Sequence, residues 1–428
     1  MKKAISNRLF HMTALLLVLA LLTAGCSGTG TAGGSSDAGS AATGVKSASE
    51  QEESTAAADA PADANTDSKT KETGSVGQAA KAETAAAEED MSAANAAAAA
   101  QAGALNTDSD WVTFLLLCNE GMNNTGSNVG NTLMGVSVNP DTGKVRLMMV
   151  TWDTFVEYEG YDIPQLLDMP YRNNGPEEAV KVFDANFDTH IDRFMSLNFL
   201  NLASLIDAYG GVDVDLSRAE RNALNGLVAS KRRSLQSQAG SNVLTQHALD
   251  MLEQDYHLTD FGPDTHLNGL QAVAYGWLQY DSVYNCCERE VEVIADLFDR
   301  VGIEINKEVA FYTDATGAPD AGETRRPINL DNVTEDDRRF LSESLSPIME
   351  MSYTNLSQED FSDMALAFAR AAYAASREGV DILDNLEREI MPLESKDSYE
   401  IVAGTEGHVI DYEANSKAMK EFLYRTED

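Results

Sequence analysis

The stretch that decides the fold runs from Asn131 to Val156 and reads NTLMGVSVNPDTGKVRLMMVTWDTFV. Two apolar runs, Thr132–Val138 and Val145–Thr151, flank a turn segment that contains proline and glycine. Because proline fixes φ and glycine supplies a left-handed residue, this pattern predicts a β-hairpin. Neither run alternates between apolar and polar residues. Both strands are therefore expected to be buried on two faces, inside a layered α/β sheet.

The first hundred residues of the 428-residue chain differ in composition from the rest. A basic start and the apolar run Leu9–Leu22 lead to Ala-Gly-Cys26, which predicts a lipoprotein signal peptide over residues 1–25, with Cys26 lipidated. A plain signal peptide with an incidental cysteine is the alternative. Lipidation implies anchoring to the outer face of the cell membrane, in the cell envelope. Residues 26–108 are rich in Ala, Ser, Gly and acidic residues, and we interpret them as a disordered tether.

The charge of the chain argues against nucleic-acid binding. The formal net charge is −38, and phosphate contacts need clustered Lys and Arg. We interpret the run Lys231-Arg232-Arg233 as a solvated helix face, with a phosphate site as the alternative. Besides Cys26 the chain has Cys118, Cys286 and Cys287, and three cysteines cannot all pair within one chain. A disulfide scaffold is therefore not expected.

Residues 109–428 alternate between strand and helix patterns, which predicts one α/β domain. Strands are predicted at Val112–Leu117, Arg193–Asn198, Val212–Leu216, Tyr399–Val402 and Val409–Tyr412. Helices are predicted at Phe199–Tyr209, Leu267–Gln279, Cys286–Val301, after the capping pattern at Ser357, and at Asn415–Tyr424. Two excursions are expected, a polar helical one at 217–266 and one rich in Gly, Pro and charge at 303–346.

The order of several motifs resembles the LytR-CpsA-Psr (LCP) family of cell-envelope proteins. The matching pieces are Phe114–Glu120, Asn131–Pro140, Asp153-Thr154, Leu205–Val214, Leu267–Tyr275, Arg289 within Cys286–Glu290, and Thr354–Leu356. The resemblance implies a three-layer α/β/α sandwich with a central mixed sheet. It also implies transfer of glycopolymers from a polyprenyl-pyrophosphate carrier to peptidoglycan, assisted by Mg²⁺. An unrelated substrate-binding lipoprotein is the alternative.

The resemblance also assigns site residues. It makes Glu120, Asp153 and Arg289 catalytic, with the two carboxylates at the metal or the acceptor and the guanidinium on phosphate. It makes Trp152, Trp277, Asn131, Thr132 and Gln279 ligand-binding positions.

Most of the arginines of the family are missing, and of that cluster Arg289 alone clearly remains. Arginine grips phosphate because its guanidinium forks onto two oxygens. The loss therefore favours a non-catalytic binder over a Mg²⁺-dependent phosphotransferase.

Two further hypotheses follow from the resemblance. Trp152 and Trp277 replace lost arginines, and together they are expected to line an apolar pocket for a sugar ring or an isoprenoid tail; simple core packing is the alternative. Cys118 and the pair Cys286-Cys287 are expected near the same pocket. A disulfide from Cys118 to either of them and free buried thiols both stay open.

Overall fold

The hairpin predicted between Asn131 and Val156 forms the middle of a mixed β-sheet. The computed structural model describes residues 111–120, 130–238, 246–279, 281–378, 386–392, 397–402 and 404–424. The strands are β1 (Val112–Asn119), β2 (Gly130–Val138), β3 (Val145–Val150), β4 (Phe155–Val156), β5 (Gln165–Leu166), β6 (Phe194–Asn198), β7 (Val212–Leu216), β8 (Gly262–Leu267), β9 (Val309–Tyr312), β10 (Arg326–Asn329), β11 (Tyr353–Thr354), β12 (Leu386–Met391), β13 (Asp397–Val402) and β14 (Thr405–Ile410).

Helices separate most of these strands. They are α1 (Asp168–Asn174), α2 (Pro176–Phe187), α3 (Phe199–Ala208), α4 (Arg218–Gln238), α5 (Gln246–Glu253), α6 (Gly269–Gly276), α7 (Val283–Glu308), α8 (Glu335–Glu343), α9 (Ser346–Met351), α10 (Gln358–Glu378) and α11 (Tyr412–Tyr424). Within the described ranges, no helix is both long enough and apolar enough to cross a bilayer.

The central sheet has six strands in the order β11-β6-β1-β2-β3-β12. β2 is antiparallel to β1 and β3, while β1 pairs in parallel with β6, and β3 with β12. The last residues of four strands and the first residue of β2 therefore meet at one edge of the sheet. We call this edge the site edge; it is marked by Asn119, Gly130, Val150, Asn198 and Met391.

Apolar side chains cover both faces of the sheet. Phe114 and Leu116 of β1 point into a core that includes residues of α3, α6, α7 and α10. The alternate residues Leu115 and Leu117 point into a second core, with residues of α1, α2 and α11. The predicted three-layer α/β/α sandwich with a central mixed sheet is thus confirmed.

The hairpin turn depends on local hydrogen bonds and on one glycine. Asn139 Oδ1 accepts from the backbone N–H groups of Asp141 and Thr142, each at 2.9 Å. Gly143 has φ +77°, and a Cβ there would lie 2.6 Å from the backbone nitrogen of Ala371. The turn therefore needs glycine both for its backbone conformation and for the close approach of α10.

Some predicted bounds shift by a few residues, as in β14, which covers Thr405–Ile410 where a strand was predicted at Val409–Tyr412. Three differences are larger. The 217–266 excursion is not helical throughout, because it ends in β8, which pairs with β7. The segment 303–346 begins with the last turns of α7 and continues into the parallel pair β9–β10. The hydrophobic pattern did not predict β12 (LEREIM), because three of its six residues are charged. Charged residues are common in an edge strand such as β12. The predicted signal peptide, Cys26 and the tether lie outside the described residues.

Candidate functional site

The sheet topology brings Glu120, Thr132 and Asp153 to the site edge. Glu120 directly follows β1, Thr132 lies near the start of β2, and Asp153 follows the end of β3. The turn that carries Asp153 is closed by a hydrogen bond from the Thr154 N–H to the Thr151 carbonyl at 3.1 Å. Polar groups at strand ends of an α/β sheet commonly form binding sites. The roles of these residues in binding or chemistry stay predictions.

Asp153 is almost completely buried, with 1% of its surface exposed. His408 of β14 approaches it twice: its Nε2 lies 3.8 Å from Asp153 Oδ1, and its backbone N–H donates to the Asp153 carbonyl at 2.9 Å. Asp168 is a second buried carboxyl group near Asp153. Burial raises its pKa to about 6; Arg172, 3.3 Å away, opposes that shift, whereas the charge of Asp153 adds to it.

Sequence reasoning missed His408. A single histidine between two predicted strands has no spacing that indicates a site, and its position depends on the docking of the β13–β14 hairpin against the residues after β3. Tyr284 packs edge-on against the same imidazole, with ring centroids 5.4 Å apart. Its hydroxyl donates to the Pro392 carbonyl at 2.8 Å, which links α7 to the end of β12.

A further buried carboxyl group, that of Glu290 on α7, lies beside Thr132 at the site edge. Thr132 Oγ1 donates to Glu290 Oε2 at 2.6 Å, and the Cys286 thiol lies 3.8 Å from Oε1. Burial raises the pKa of Glu290 to about 8, although the hydrogen bond from Thr132 opposes the shift. Glu290 is therefore mostly protonated and uncharged at pH 7. Sequence reasoning missed it as well.

The three cysteines of the domain are free thiols. Cys118, Cys286 and Cys287 are all buried and form no disulfide, so the structure favours the free-thiol alternative. Burial is the main cause that raises the pKa of each thiol, and the neighbouring Glu290 adds to it. These thiols are therefore protonated and poorly nucleophilic at pH 7.

Arg289 is 4% exposed, and carboxylates hold its guanidinium. Its two terminal nitrogens contact the two oxygens of Asp281 at 2.8 and 3.0 Å, and Nη1 lies 3.4 Å from Glu220 Oε1. Nη2 also donates to the Leu278 carbonyl. A cavity of about 260 Å³ lies beside it, lined by Glu220, Tyr275, Asp281, Asn285, Glu288, Arg289 and Glu292. Carboxylates thus outnumber the cation in this cavity.

Glu120 pairs with the basic run of α4. Its Oε2 lies 3.2 Å from Lys231 Nζ, which in turn lies 5.4 Å from the Phe199 ring centroid and 5.5 Å from that of Trp277. Lys231 is therefore partly buried on aromatic rings, whereas the sequence predicted a solvated helix face. Arg232 likewise packs on Tyr256, with its guanidinium carbon 4.2 Å from the ring centroid.

The two tryptophans pack against different cores, which favours the core-packing alternative over a pocket that they line together. Trp277 is buried in the core that contains Phe199, with ring centroids 5.5 Å apart. Trp152 packs against the other core, and the sheet lies between the two. Gln279 is exposed, and the side chain of Asn131 lies outside what the structure describes.

Metal binding stays a prediction. Among the described residues, no group of three or more His, Cys, Asp or Glu side chains could hold a metal ion. Mg²⁺ often takes only one or two protein carboxylates and completes its shell with water and substrate phosphates. Glu120 and Asp153 remain the carboxylates that the sequence assigns to it.

Comparison with known proteins gives one family. Residues 70–301 match the LytR_cpsA_psr family. A polyisoprenyl-teichoic acid–peptidoglycan teichoic acid transferase TagU from Halalkalibacterium halodurans is 28% identical over 89 residues, which cover 21% of this chain and 29% of the relative. Biofilm regulatory protein A from Streptococcus mutans is 24% identical over 187 residues, which cover 40% of this chain and 38% of the relative. The matched segments thus span only about a third of these relatives.

Among solved structures, Bacillus subtilis TagV aligns with a TM-score of 0.47 at 15% identity, over 74% of this chain and 98% of that one. Since the family match covers more than half of the 428 residues, this chain belongs to the LytR_cpsA_psr family.

Proposed function

We propose that this protein is a cell-envelope protein that binds envelope glycopolymers and does not transfer them from a pyrophosphate carrier. Membership of the LytR_cpsA_psr family supports the envelope role. The predicted signal peptide and lipidation of Cys26 support an anchored position outside the membrane. The observation that carries the non-catalytic part is the state of Arg289.

Arg289 is the one clearly retained cation of the expected phosphate cluster, and Asp281 already occupies its fork. The hydrogen bonds from Arg289 are the main reason that the pKa of Asp281 falls to about 2. A pyrophosphate would have to displace Asp281 and then share the cavity with Glu220, Glu288 and Glu292. Each lost charge-assisted hydrogen bond costs about 1.5–3 kcal/mol, and the remaining carboxylates repel the ligand. Binding of pyrophosphate in this cavity is therefore disfavoured.

One apolar cavity in the core is too small to hold a lipid tail. It lies between the sheet and helices α3 and α7, with Phe114, Leu202 and Phe298 among its lining residues. Its volume is about 20 Å³, which is about the space that one buried water molecule needs. An isoprene unit, with five carbons, does not fit unless the core opens.

The test combines a turnover assay with a binding assay on the purified full chain. The protein is mixed with a polyprenyl-pyrophosphate-linked glycan and Mg²⁺, and release of the carrier is followed; in parallel, co-sedimentation with purified cell-wall glycan is measured. We expect binding to the wall glycan with carrier release no faster than in a protein-free blank. Carrier release that Asp153→Ala abolishes would instead establish a transferase. If the protein neither binds the wall glycan nor releases the carrier, the result would favour an unrelated ligand.

A further inference from the structure

Two hairpins beside Asp153 expose most of the large apolar side chains found on the surface. The first is β4–β5 with its loop, residues 155–166, and the second is β13–β14, residues 397–410. Of the six large apolar side chains that are exposed in the described part of the chain, four belong to these hairpins: Tyr161 (47%), Ile163 (46%), Tyr399 (56%) and Ile401 (67%). Exposed aromatic and aliphatic side chains concentrated in one region indicate a binding surface.

The two hairpins are docked against each other through a glycine. Thr154 and His408 form a parallel β-bridge. A Cβ at Gly407 would lie 2.4 Å from the Asp153 carbonyl oxygen, 2.9 Å from Leu166 Cδ2 and 3.0 Å from Phe155 Cε2. Only glycine permits this approach, so the second hairpin is held at a fixed distance from the first.

Polar groups lie next to the exposed rings. In the register of β13 and β14, Tyr399 pairs with His408, and Ile401 pairs with Glu406. The rings of Tyr399 and His408 meet edge-on at 5.0 Å, and Asp153 lies behind the imidazole. Glu406 is exposed on the same face of the hairpin, so the ring of Tyr399 and this carboxylate together suit a sugar, whose C–H face packs on the aromatic ring while its hydroxyls donate hydrogen bonds to the carboxylate.

The charge of the hairpins narrows the class of sugar. The first segment carries Glu157, Glu159 and Asp162, the second carries Glu400 and Glu406, and neither segment contains Lys or Arg in its sequence. Phosphate-bearing polymers require cations, whereas uncharged sugars do not. We infer that the two hairpins form a binding surface for an uncharged glycan and reject polyanionic polymers. This inference rests on the proposed function, and it adds the class of ligand and the surface that binds it.

Calorimetry on the full chain tests the inference with two probes, an uncharged N-acetylglucosamine tetrasaccharide and inorganic polyphosphate. We expect the tetrasaccharide to bind and polyphosphate not to bind. Tyr399→Ala should weaken that binding about three- to tenfold, the contribution of one aromatic contact. Phe261→Ala is the matched control, because Phe261 is also exposed (49%) but directly precedes β8, outside both hairpins. It should bind like the parent protein.

Charge variants and vesicles give the opposing outcomes. Glu159→Lys together with Glu406→Lys, both at exposed positions, should add polyphosphate binding and leave folding unchanged. Equal effects of Tyr399→Ala and Phe261→Ala, or polyphosphate binding by the parent protein, would overturn the inference. So would capture by phosphatidylcholine vesicles that depends on Tyr399 while the tetrasaccharide fails to bind. Because the tetrasaccharide has no phosphate, carrier turnover in the other assay would refute the proposed function without affecting these results.

Discussion

Replacing Glu290 by glutamine should stabilise the protein, and the gain should grow with pH. The folded chain holds the proton of Glu290 up to a pKa of about 8, whereas the ordinary value is 4.5. Between these two pH values the folded state keeps a proton that the unfolded state has released. The free energy of unfolding therefore falls as pH rises through this window, and the loss is complete above about pH 8.

The size of the effect follows from the shift. Each pH unit within the window lowers the free energy of unfolding by about 1.4 kcal/mol for one proton. The ionisable Glu290 therefore lowers it by about 3 kcal/mol at pH 7 and by less than about 1 kcal/mol at pH 5. Glu290→Gln keeps the shape and accepts the Thr132 hydrogen bond, but it never ionises. Its extra amide N–H faces the Cys286 thiol and costs about 1 kcal/mol of the gain. A net gain of about 2 kcal/mol at pH 7 is expected.

Urea unfolding followed by circular dichroism at pH 5, 6, 7 and 8 measures this difference. Glu288→Gln is the control, because Glu288 lies two positions earlier on α7 and is exposed. The control should change the free energy of unfolding by less than about 0.5 kcal/mol at every pH. A gain for Glu290→Gln that stays constant from pH 5 to pH 8, or that the control reproduces, would refute the reasoning.

Two further outcomes are expected. Gly407→Ala should lower the free energy of unfolding by about 2 kcal/mol, since a Cβ would meet the Asp153 carbonyl at 2.4 Å, whereas Gly226→Ala, in open space on α4, should leave it unchanged or raise it by up to about 1 kcal/mol; thermal melting of both variants checks this. The thiols of Cys118, Cys286 and Cys287 should all react with a thiol reagent in denaturant without reductant, and far more slowly in the folded protein. If two of these three thiols fail to react in denaturant, a disulfide joins them.

The local sequence determined the central hairpin, about half of the described strands and the longer helices. Residues 139–144 contain the turn chemistry that they need, and Ser357 and Asp360 exchange the hydrogen bonds of a capping box at the start of α10. These features depend on residues a few positions apart, so their patterns can be read without the fold. The motif order from Phe114 to Leu356 also identified the family correctly.

The surroundings of the site were decided only by the tertiary structure. The fork of Arg289 is filled by Asp281 and Glu220, which the chain brings to it from a loop and from the start of α4. The contact of His408 with Asp153 depends on Gly407. The two tryptophans pack against different cores because Trp152 lies in the turn after β3, whereas Trp277 caps the end of α6, which covers the opposite face of the sheet. Charges and burial act through space, and a sequence records only the order of its residues. The chain therefore specified which groups are present, and folding specified which of them neutralise each other.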